Sequence, residues 1–120
     1  MFVNVNKLLL FNLFFNLINN AIKYNRDGGD IKVVGVADGN ILSIHLIDTG
    51  IGIANDDMPY IFQRFKKLSQ SLQQDSFGLG LPIVKSIATF HGIEIEVKSE
   101  KDIGSTFELV FPSHLIETNT

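Results

Sequence analysis

The sequence has 120 residues, 45% of them hydrophobic, with ten phenylalanines and a net charge of −3. A chain of this length and apolar content can bury one compact core, which excludes an intrinsically disordered segment. Because it has no cysteine, a disulfide framework and a thiolate metal site are excluded, and because it has no basic run, we expect no nucleic-acid partner. Its most hydrophobic stretch, residues 8–18, is too short for a bilayer span of about 20 residues.

The first half of the chain predicts a helix followed by a hairpin. The helix runs from Asn6 to about Tyr24, and Asn6 is a suitable N-cap. The turn sequence RDGGD follows at residues 26–30. Residues 31–37 and 41–48 run or alternate apolar at strand length, and the DGN between them indicates a tight hairpin turn.

The second half predicts two more helices and a second hairpin. A short helix is expected at residues 56–65, and a mobile loop at residues 66–77, which are polar and lack a period. Residues 78–90 predict a helix, and two alternating segments, from Ile93 and at residues 105–111, predict strands. This order predicts an α+β fold, a two-layer sandwich in which helices pack on one face of a mixed, mostly antiparallel sheet.

The first helix carries a stripe of polar side chains. At about 100° per residue, Asn12, Asn16, Asn19, Asn20 and Lys23 fall on one side, and the rest of the helix is leucine, phenylalanine and isoleucine. A helix that is apolar on almost all other sides is expected to be buried, and buried amides are costly unless they find partners. Taken alone, the stripe also fits the solvent face of a helix packed on a sheet.

Three glycine-containing segments follow in the chain: DTGIGI at residues 48–53, FGLGLPIV at residues 77–84 and GSTF at residues 104–107. Two glycines before a helix suit phosphate binding, since the helix N-terminus exposes unpaired N–H groups and a positive dipole end. Each segment alone is also typical of an ordinary turn or of a tight entry into a helix.

In this order and spacing, the segments resemble the ATP-binding catalytic domain of bacterial sensor histidine kinases. That domain belongs to the superfamily shared with gyrase, the ninety-kilodalton heat-shock chaperone and the mismatch-repair ATPases. NLINNAIKY resembles the family's asparagine box, DTGIGI and FGLGL its two glycine boxes, IFQRF its phenylalanine box and GSTF its last box. The resemblance covers residues 6–112. It implies one Bergerat-type ATP-binding domain over residues 1–120, with a clipped first strand and a tail at residues 113–120.

The asparagine box implies residues that hold ATP and Mg²⁺. Asn20 resembles the Mg²⁺ ligand, through an amide oxygen of the kind that Mg²⁺ accepts beside water and phosphate oxygens. Asn16, one turn earlier, would contact a water or a phosphate, and Lys23 would neutralise phosphate charge. Tyr24 would lie against the base or ribose. The alternatives are a helix-end cation for Lys23 and a packing aromatic for Tyr24.

The first glycine box and the last box imply recognition of the base. Asp48 would accept the adenine amino proton, although it could also be an Asx-turn residue. Gly50 and Gly52 would let the backbone pass close to the ring, with Ile53 completing the box beside the nucleotide. Thr106 would reach the adenine side through a water.

The second glycine box implies a lid over the phosphates. Its predicted nucleotide-binding residues are Phe77, Gly78, Leu79, Gly80 and Leu81. Arg64 or Lys67 would reach the γ-phosphate, or would be solvated surface residues. Ser76 and Phe77 stand where the family usually has Gly-Thr, which predicts a stiffer lid, a packing role for Phe77 over the nucleotide, or weaker ATP binding.

Asn16 distinguishes two branches of the superfamily. The ATP-hydrolysing members resemble one another in having a glutamate at this position, which activates water as a general base. An amide cannot do this. The resemblance therefore implies that Asn16, Asn20 and Lys23 serve transfer of the γ-phosphate to a histidine rather than to water.

None of the three histidines, His45, His91 and His114, lies in a helical context that resembles the family's phosphoacceptor box. We expect the acceptor on a separate dimerisation domain, with a response-regulator receiver domain as a further partner. We expect this fragment to be monomeric and cytoplasmic, and its parent to be a dimer anchored in the inner or plasma membrane. The alternatives are a degenerate, catalytically inactive nucleotide-binding or partner-binding module, and a serine-kinase anti-sigma factor.

Overall fold

A computed structural model describes residues 2–63 and 77–117. Six strands and two helices make up this part of the chain: β1 (Phe2–Val3), α1 (Lys7–Lys23), β2 (Ile31–Asp38), β3 (Ile41–Asp48), α2 (Phe77–His91), β4 (Glu94–Glu100), β5 (Gly104–Phe111) and β6 (Ile116–Glu117). Short 3₁₀ helices lie at Met58–Tyr60 and Ser113–Leu115. The predicted α+β fold is confirmed.

The main sheet has four strands in the order β2-β3-β5-β4, and every neighbouring pair is antiparallel. A separate two-stranded pairing joins β1 to β6. Alternate residues of β5 are buried, as expected for a strand with one face on a core and one face away from it. Both helices cover the same face of the sheet, and α1 packs along α2.

The core lies between the two helices and the sheet. Six of its side chains are at most 1% exposed: Leu13, Leu17, Leu81, Val84, Ala88 and Leu109. They come from α1, α2 and β5, so that burial of apolar surface holds the two layers together.

Helix α1 begins as predicted, because Asn6 is its N-cap and its side-chain oxygen accepts a hydrogen bond from the Leu9 N–H at 3.0 Å. The expectation that α1 is buried on almost all sides is wrong. Five apolar side chains along one face are between 37% and 69% exposed: Leu8, Phe11, Phe15, Ile18 and Ile22. Asn16 and Asn20 are half-buried, whereas Asn12 and Asn19 are exposed.

The predicted short helix at residues 56–65 is replaced, within the described residues, by the 3₁₀ helix Met58–Tyr60. Pro59 lies in its first turn, where proline is tolerated because a first-turn N–H has no helical acceptor. The loop predicted at residues 66–77 falls almost entirely outside the described residues. No helix in the described part of the chain is long and apolar enough to cross a bilayer.

His91, at the end of α2, joins the two helices. Its buried imidazole lies with Nδ1 2.9 Å from the Ile87 carbonyl oxygen, and its Nε2 accepts a hydrogen bond from the Asn6 N–H at 3.2 Å. Since the carbonyl can only accept, the proton must be on Nδ1. The last turn of α2 is thereby held against the first turn of α1.

Replacing His91 by alanine is expected to lower the free energy of unfolding by about 1–3 kcal/mol, because it opens a small cavity and leaves a partly buried N–H without its acceptor. Urea denaturation measures the loss. The control is His45→Ala on the other face of the sheet, where the imidazole pairs with Glu108 at 2.7 Å and both side chains are 28% exposed. There we expect a loss of at most about 1 kcal/mol. Equal losses would contradict the structural role of His91.

Candidate functional site

A cavity opens between the two helices at the end of β3. Its lining comes from α1, the end of β3 with the following loop, α2 and β5: Asn20, Tyr24, Asp48, Gly52, Ile53, Ile61, Leu81, Ser105 and Phe107. Six of these nine residues are candidates from the sequence: Asn20, Tyr24, Asp48, Gly52, Ile53 and Leu81.

The asparagine stripe reaches this cavity through its half-buried members. Asn20 lines the cavity directly. Asn16, one turn earlier, donates its Nδ2 hydrogen bond to the Asn12 carbonyl oxygen at 2.7 Å. Its Oδ1 faces α2, where a methyl group in place of the Gly80 hydrogen would lie 3.7 Å away. The amides of α1 therefore border both the cavity and the beginning of α2.

Lys23 and Tyr24 end the same helix. Tyr24 is half-buried and lines the cavity, while Lys23 is exposed. The Lys23 ammonium lies 5.9 Å from the centre of the Tyr24 ring, within cation–π range. A cation thus stands next to the aromatic wall of the cavity.

Among the described residues that line the cavity, Asp48 is the one with a charged side chain. It is the last residue of β3, and its Oδ1 accepts a hydrogen bond from the Gly50 N–H at 2.9 Å. Burial raises the pKa of this carboxyl above its ordinary value, and the backbone N–H groups of Gly50 and Ser105 oppose that shift by stabilising the ionised form. The carboxylate is therefore partly desolvated and oriented by two backbone donors.

The loop after β3 passes very close to other backbone segments. A side chain at Gly50 would collide with the Tyr24 carbonyl oxygen, and one at Gly52 with that of Glu100. Gly52 also has a positive φ of 71°, in the region that L side chains rarely adopt. Both glycines of the box are therefore required by the path of this loop.

A serine pair fixes the end of the same loop. The Ile53 N–H donates to Ser99 Oγ at 2.7 Å, and Ser99 Oγ donates to the Gly104 carbonyl oxygen at 3.1 Å. Ser99 has one hydroxyl proton, so Ser105 is the donor in the 2.7 Å contact between the two hydroxyls. This chain of bonds ties the loop to β4 and β5.

The structure brings Ser105, rather than Thr106, into the cavity. Successive side chains on a strand point to opposite faces, and the buried residues of β5 are Ser105, Phe107, Leu109 and Phe111. Thr106 therefore lies on the other face of the sheet. Because Phe107 is plainly a core residue, counting two positions back from it could have identified Ser105 from the sequence.

The remaining predicted residues are placed as follows. Gly80 lies near Asn16, and Gly50 is beside the cavity without lining it. Phe77, Gly78 and Leu79 form the first turn of α2, of which the structure describes the backbone only; Arg64 and Lys67 lie outside the described residues. Two further residues that line the cavity, Ile61 and Phe107, were missed as site residues. Nothing in their local sequence distinguishes a residue of the cavity wall from a residue of the core.

The residues present fit a magnesium ion held mainly by other ligands. In the described ranges no group of three or more His, Cys, Asp or Glu side chains is placed to hold a metal ion. The amide oxygen of Asn20 is a hard oxygen donor of the kind that Mg²⁺ prefers, and Mg²⁺ usually keeps waters and substrate phosphates as its other ligands. Asn20 could therefore serve as a single protein ligand.

The family model described as "Histidine kinase-, DNA gyrase B-, and HSP90-like ATPase" matches residues 5–115. The chain belongs to this family. Among curated relatives, the sensor-like histidine kinase SenX3 of Mycolicibacterium smegmatis is 38% identical over 108 residues, which cover 88% of this chain and 28% of SenX3. The signal transduction histidine-protein kinase ArlS of Staphylococcus aureus is 40% identical over 101 residues, covering 82% of this chain and 22% of ArlS. The chain thus matches about a quarter of these relatives' length.

Solved structures agree with this assignment. The chain matches a mycobacterial sensor histidine kinase, MprB, with a TM-score of 0.82 and 25% identity, over 92% of this chain and 76% of that one. The catalytic domain of histidine kinase ThkA matches in fold with a TM-score of 0.76 at 23% identity, over 92% of this chain and 70% of that one. The resemblance to the ATP-binding catalytic domain of sensor histidine kinases is confirmed.

Asp48→Asn is expected to make the empty domain at least as stable as the parent at neutral pH. Because the folded-state pKa of Asp48 is raised, the folded chain binds its proton more tightly than the unfolded chain does, and stability falls as pH rises from about 3.8 through the raised value. Asparagine cannot ionise and keeps an oxygen for the Gly50 N–H. Thermal unfolding between about pH 4 and about pH 8 should show the variant's advantage shrinking as the pH is lowered. Asp38→Asn, an exposed acid at the end of β2, is the control; a gain at Asp48 that does not vary with pH would contradict this account.

Gly52→Ala is expected to destabilise the domain by about 1–3 kcal/mol, because the new methyl group meets the Glu100 carbonyl oxygen at a positive φ. Gly35→Ala in β2 is the matched control. A methyl group there meets nothing within 4 Å, and φ is not positive. The denaturant midpoints of the two variants measure the difference in stability. Equal midpoints would contradict the predicted clash at Gly52.

Proposed function

We propose that this domain binds Mg·ATP in the cavity and presents the γ-phosphate to a histidine on a separate dimerisation domain. The observation that carries the proposal is that one cavity is lined by both Asp48 and Asn20, the predicted reader of the base and the predicted ligand of the metal. The proposed parent is a dimeric, membrane-anchored sensor kinase that passes the phosphoryl group to a response-regulator receiver domain.

Asp48 supports selection of adenine. An ionised carboxylate only accepts hydrogen bonds, so it requires a donor on the base. Adenine presents an exocyclic amine at the position where guanine presents a carbonyl oxygen. The partly desolvated carboxylate therefore attracts adenine and repels guanine, and burial strengthens both effects. Ile53 and Leu81 supply apolar walls for the ring, and Tyr24 supplies an aromatic one.

Asn20 and Lys23 support binding of the triphosphate. Asn20 would offer the metal one amide oxygen, and Mg²⁺ would supply positive charge that offsets the negative charge of the triphosphate. Lys23 adds a cation at the end of the same helix face. The first turn of α2 would offer the phosphates backbone N–H groups and the positive end of a helix dipole. These groups bind and orient the chain of phosphates.

Asn16 supports transfer to a histidine rather than hydrolysis. Its Nδ2 is engaged with the Asn12 carbonyl oxygen, and an amide has no useful basicity. A water near the phosphates would therefore find no base at this position. The proposed reaction waits for an imidazole nucleophile from another domain, and positioning and charge neutralisation then supply most of the rate.

Calorimetric titration of ATP and GTP, with and without Mg²⁺, tests the proposal. We expect adenine-selective binding that Mg²⁺ strengthens, very slow hydrolysis, and phosphoryl transfer to a supplied acceptor domain.

Asn20→Ala should remove most of the strengthening of ATP binding by Mg²⁺, a loss of about tenfold, because the metal loses its protein ligand. Asn19→Ala is the control, since Asn19 is exposed on the same helix one position away.

Two results would contradict the proposal. Equal binding by both variants would remove Asn20 from the metal site. If no binding were seen at millimolar ATP, the binding free energy would be weaker than about 4 kcal/mol. That result would favour the catalytically inactive module instead.

A further inference from the structure

Arg26 makes two long-range hydrogen bonds beside the cavity. It follows α1, and its Nη2 donates to the Gly50 carbonyl oxygen at 2.9 Å and to the Asp102 carbonyl oxygen. These partners are 24 and 76 residues away in the sequence. One side chain therefore joins three segments: the turn after α1, the loop after β3 and the turn between β4 and β5.

The peptide group between Gly50 and Ile51 is hydrogen-bonded on both sides. Its carbonyl oxygen, that of Gly50, accepts from Arg26, and its N–H, that of Ile51, donates to the Tyr24 carbonyl oxygen at 3.0 Å. The carbonyl of Ile51 in turn accepts from the Asp102 N–H at 2.7 Å. Asp102 itself has a positive φ of 69°, a conformation that a non-glycine residue adopts only where its surroundings hold it.

The fixed peptide group lies next to the group that orients the carboxylate. The Gly50 N–H donates to Asp48 Oδ1 at 2.9 Å. If the Gly50 carbonyl were released, the peptide that follows would be held only by the hydrogen bonds of Ile51, and Gly50 could turn more freely, since a glycine has no side chain to limit it. The N–H would then lose its fixed direction toward the carboxylate.

We propose that Arg26 is a positioning residue for base recognition, which holds the Gly50 carbonyl so that the Gly50 N–H fixes the Asp48 carboxylate in the direction that reads adenine. The inference rests on the proposed function. Arg26 does not line the cavity, and it acts through Gly50. A guanidinium suits this task because its hydrogen bonds to neutral carbonyls are charge-assisted and its fork of donors can hold two of them.

The test compares ATP with purine riboside triphosphate, which lacks the exocyclic amine but keeps the ring, the ribose and the phosphates. The ratio of their dissociation constants isolates the contact to Asp48. We expect the parent chain to prefer ATP, and Arg26→Met to reduce that preference about tenfold while leaving the affinity for the analogue within about twofold. Arg26→Lys should keep part of the preference, because it retains a cationic donor on a shorter stem.

Lys7→Met is the matched control. It removes the same charge from an exposed residue at the start of α1, outside the cavity lining, and should leave the ratio unchanged. A second readout needs no ligand: hydrogen exchange of the Gly50 amide should be faster in Arg26→Met than in the parent and in Lys7→Met. Lost stability alone would weaken both nucleotides together and would not change their ratio.

Each outcome decides between the two proposals. If the parent prefers ATP and Arg26→Met keeps the parent's ratio and the parent's Gly50 exchange rate, the positioning role is overturned and the proposed function stands. If the parent binds neither nucleotide, the proposed function and the positioning role fall together. If it binds both equally, Asp48 does not read the exocyclic amine, and the positioning role falls with that part of the proposed function. A reduced ratio with faster Gly50 exchange supports the positioning role.

Discussion

The close approach of three backbone segments beside the end of β3 is the constraint on which the site depends. Gly50 lies against the Tyr24 carbonyl and Gly52 against that of Glu100, so the loop can pass between α1 and the β4–β5 turn only without side chains at these positions. The hydrogen bonds that Ile51 makes to both sides require the same path. Because the loop is held on two sides, the carboxylate before it and the apolar wall after it are presented to the cavity in fixed directions.

The buried carboxylate of Asp48 indicates what the proposed recognition of a base would cost the empty domain in stability. Desolvation of Asp48 disfavours its charged form, and the two backbone N–H groups offset only part of that effect. In the empty domain the charge therefore destabilises the fold. A base that donates a hydrogen bond to the carboxylate would relieve this desolvation penalty, whereas a base that presents an acceptor would increase it. The penalty would therefore add to the difference in affinity between the two kinds of base.

Local rules predicted most of the fold because its signals are local. The Asn6 cap, the hairpin turn before β3 and the alternation in β5 each depend on neighbouring residues. The exposed apolar face of α1 was not predictable in this way, since periodicity separates apolar from polar sides but does not say which apolar side meets the core. The site divides similarly. Its glycines and Asp48 follow from motifs, whereas the bonds of Arg26 to two distant turns have no local signal.

The hydrogen bonding of Asn16 bears on the proposed choice between phosphoryl transfer and hydrolysis. Its Nδ2 donates to the Asn12 carbonyl oxygen at 2.7 Å, which turns its oxygen toward the beginning of α2. An ionised glutamate could not make this bond, because a carboxylate has no proton to donate and would face the carbonyl oxygen with like charge. A glutamate here would have to leave the helix backbone and point elsewhere to act as a base. The hydrogen bonding around α1 thus suits an amide, which agrees with a site that holds ATP for an incoming nucleophile rather than one that activates water.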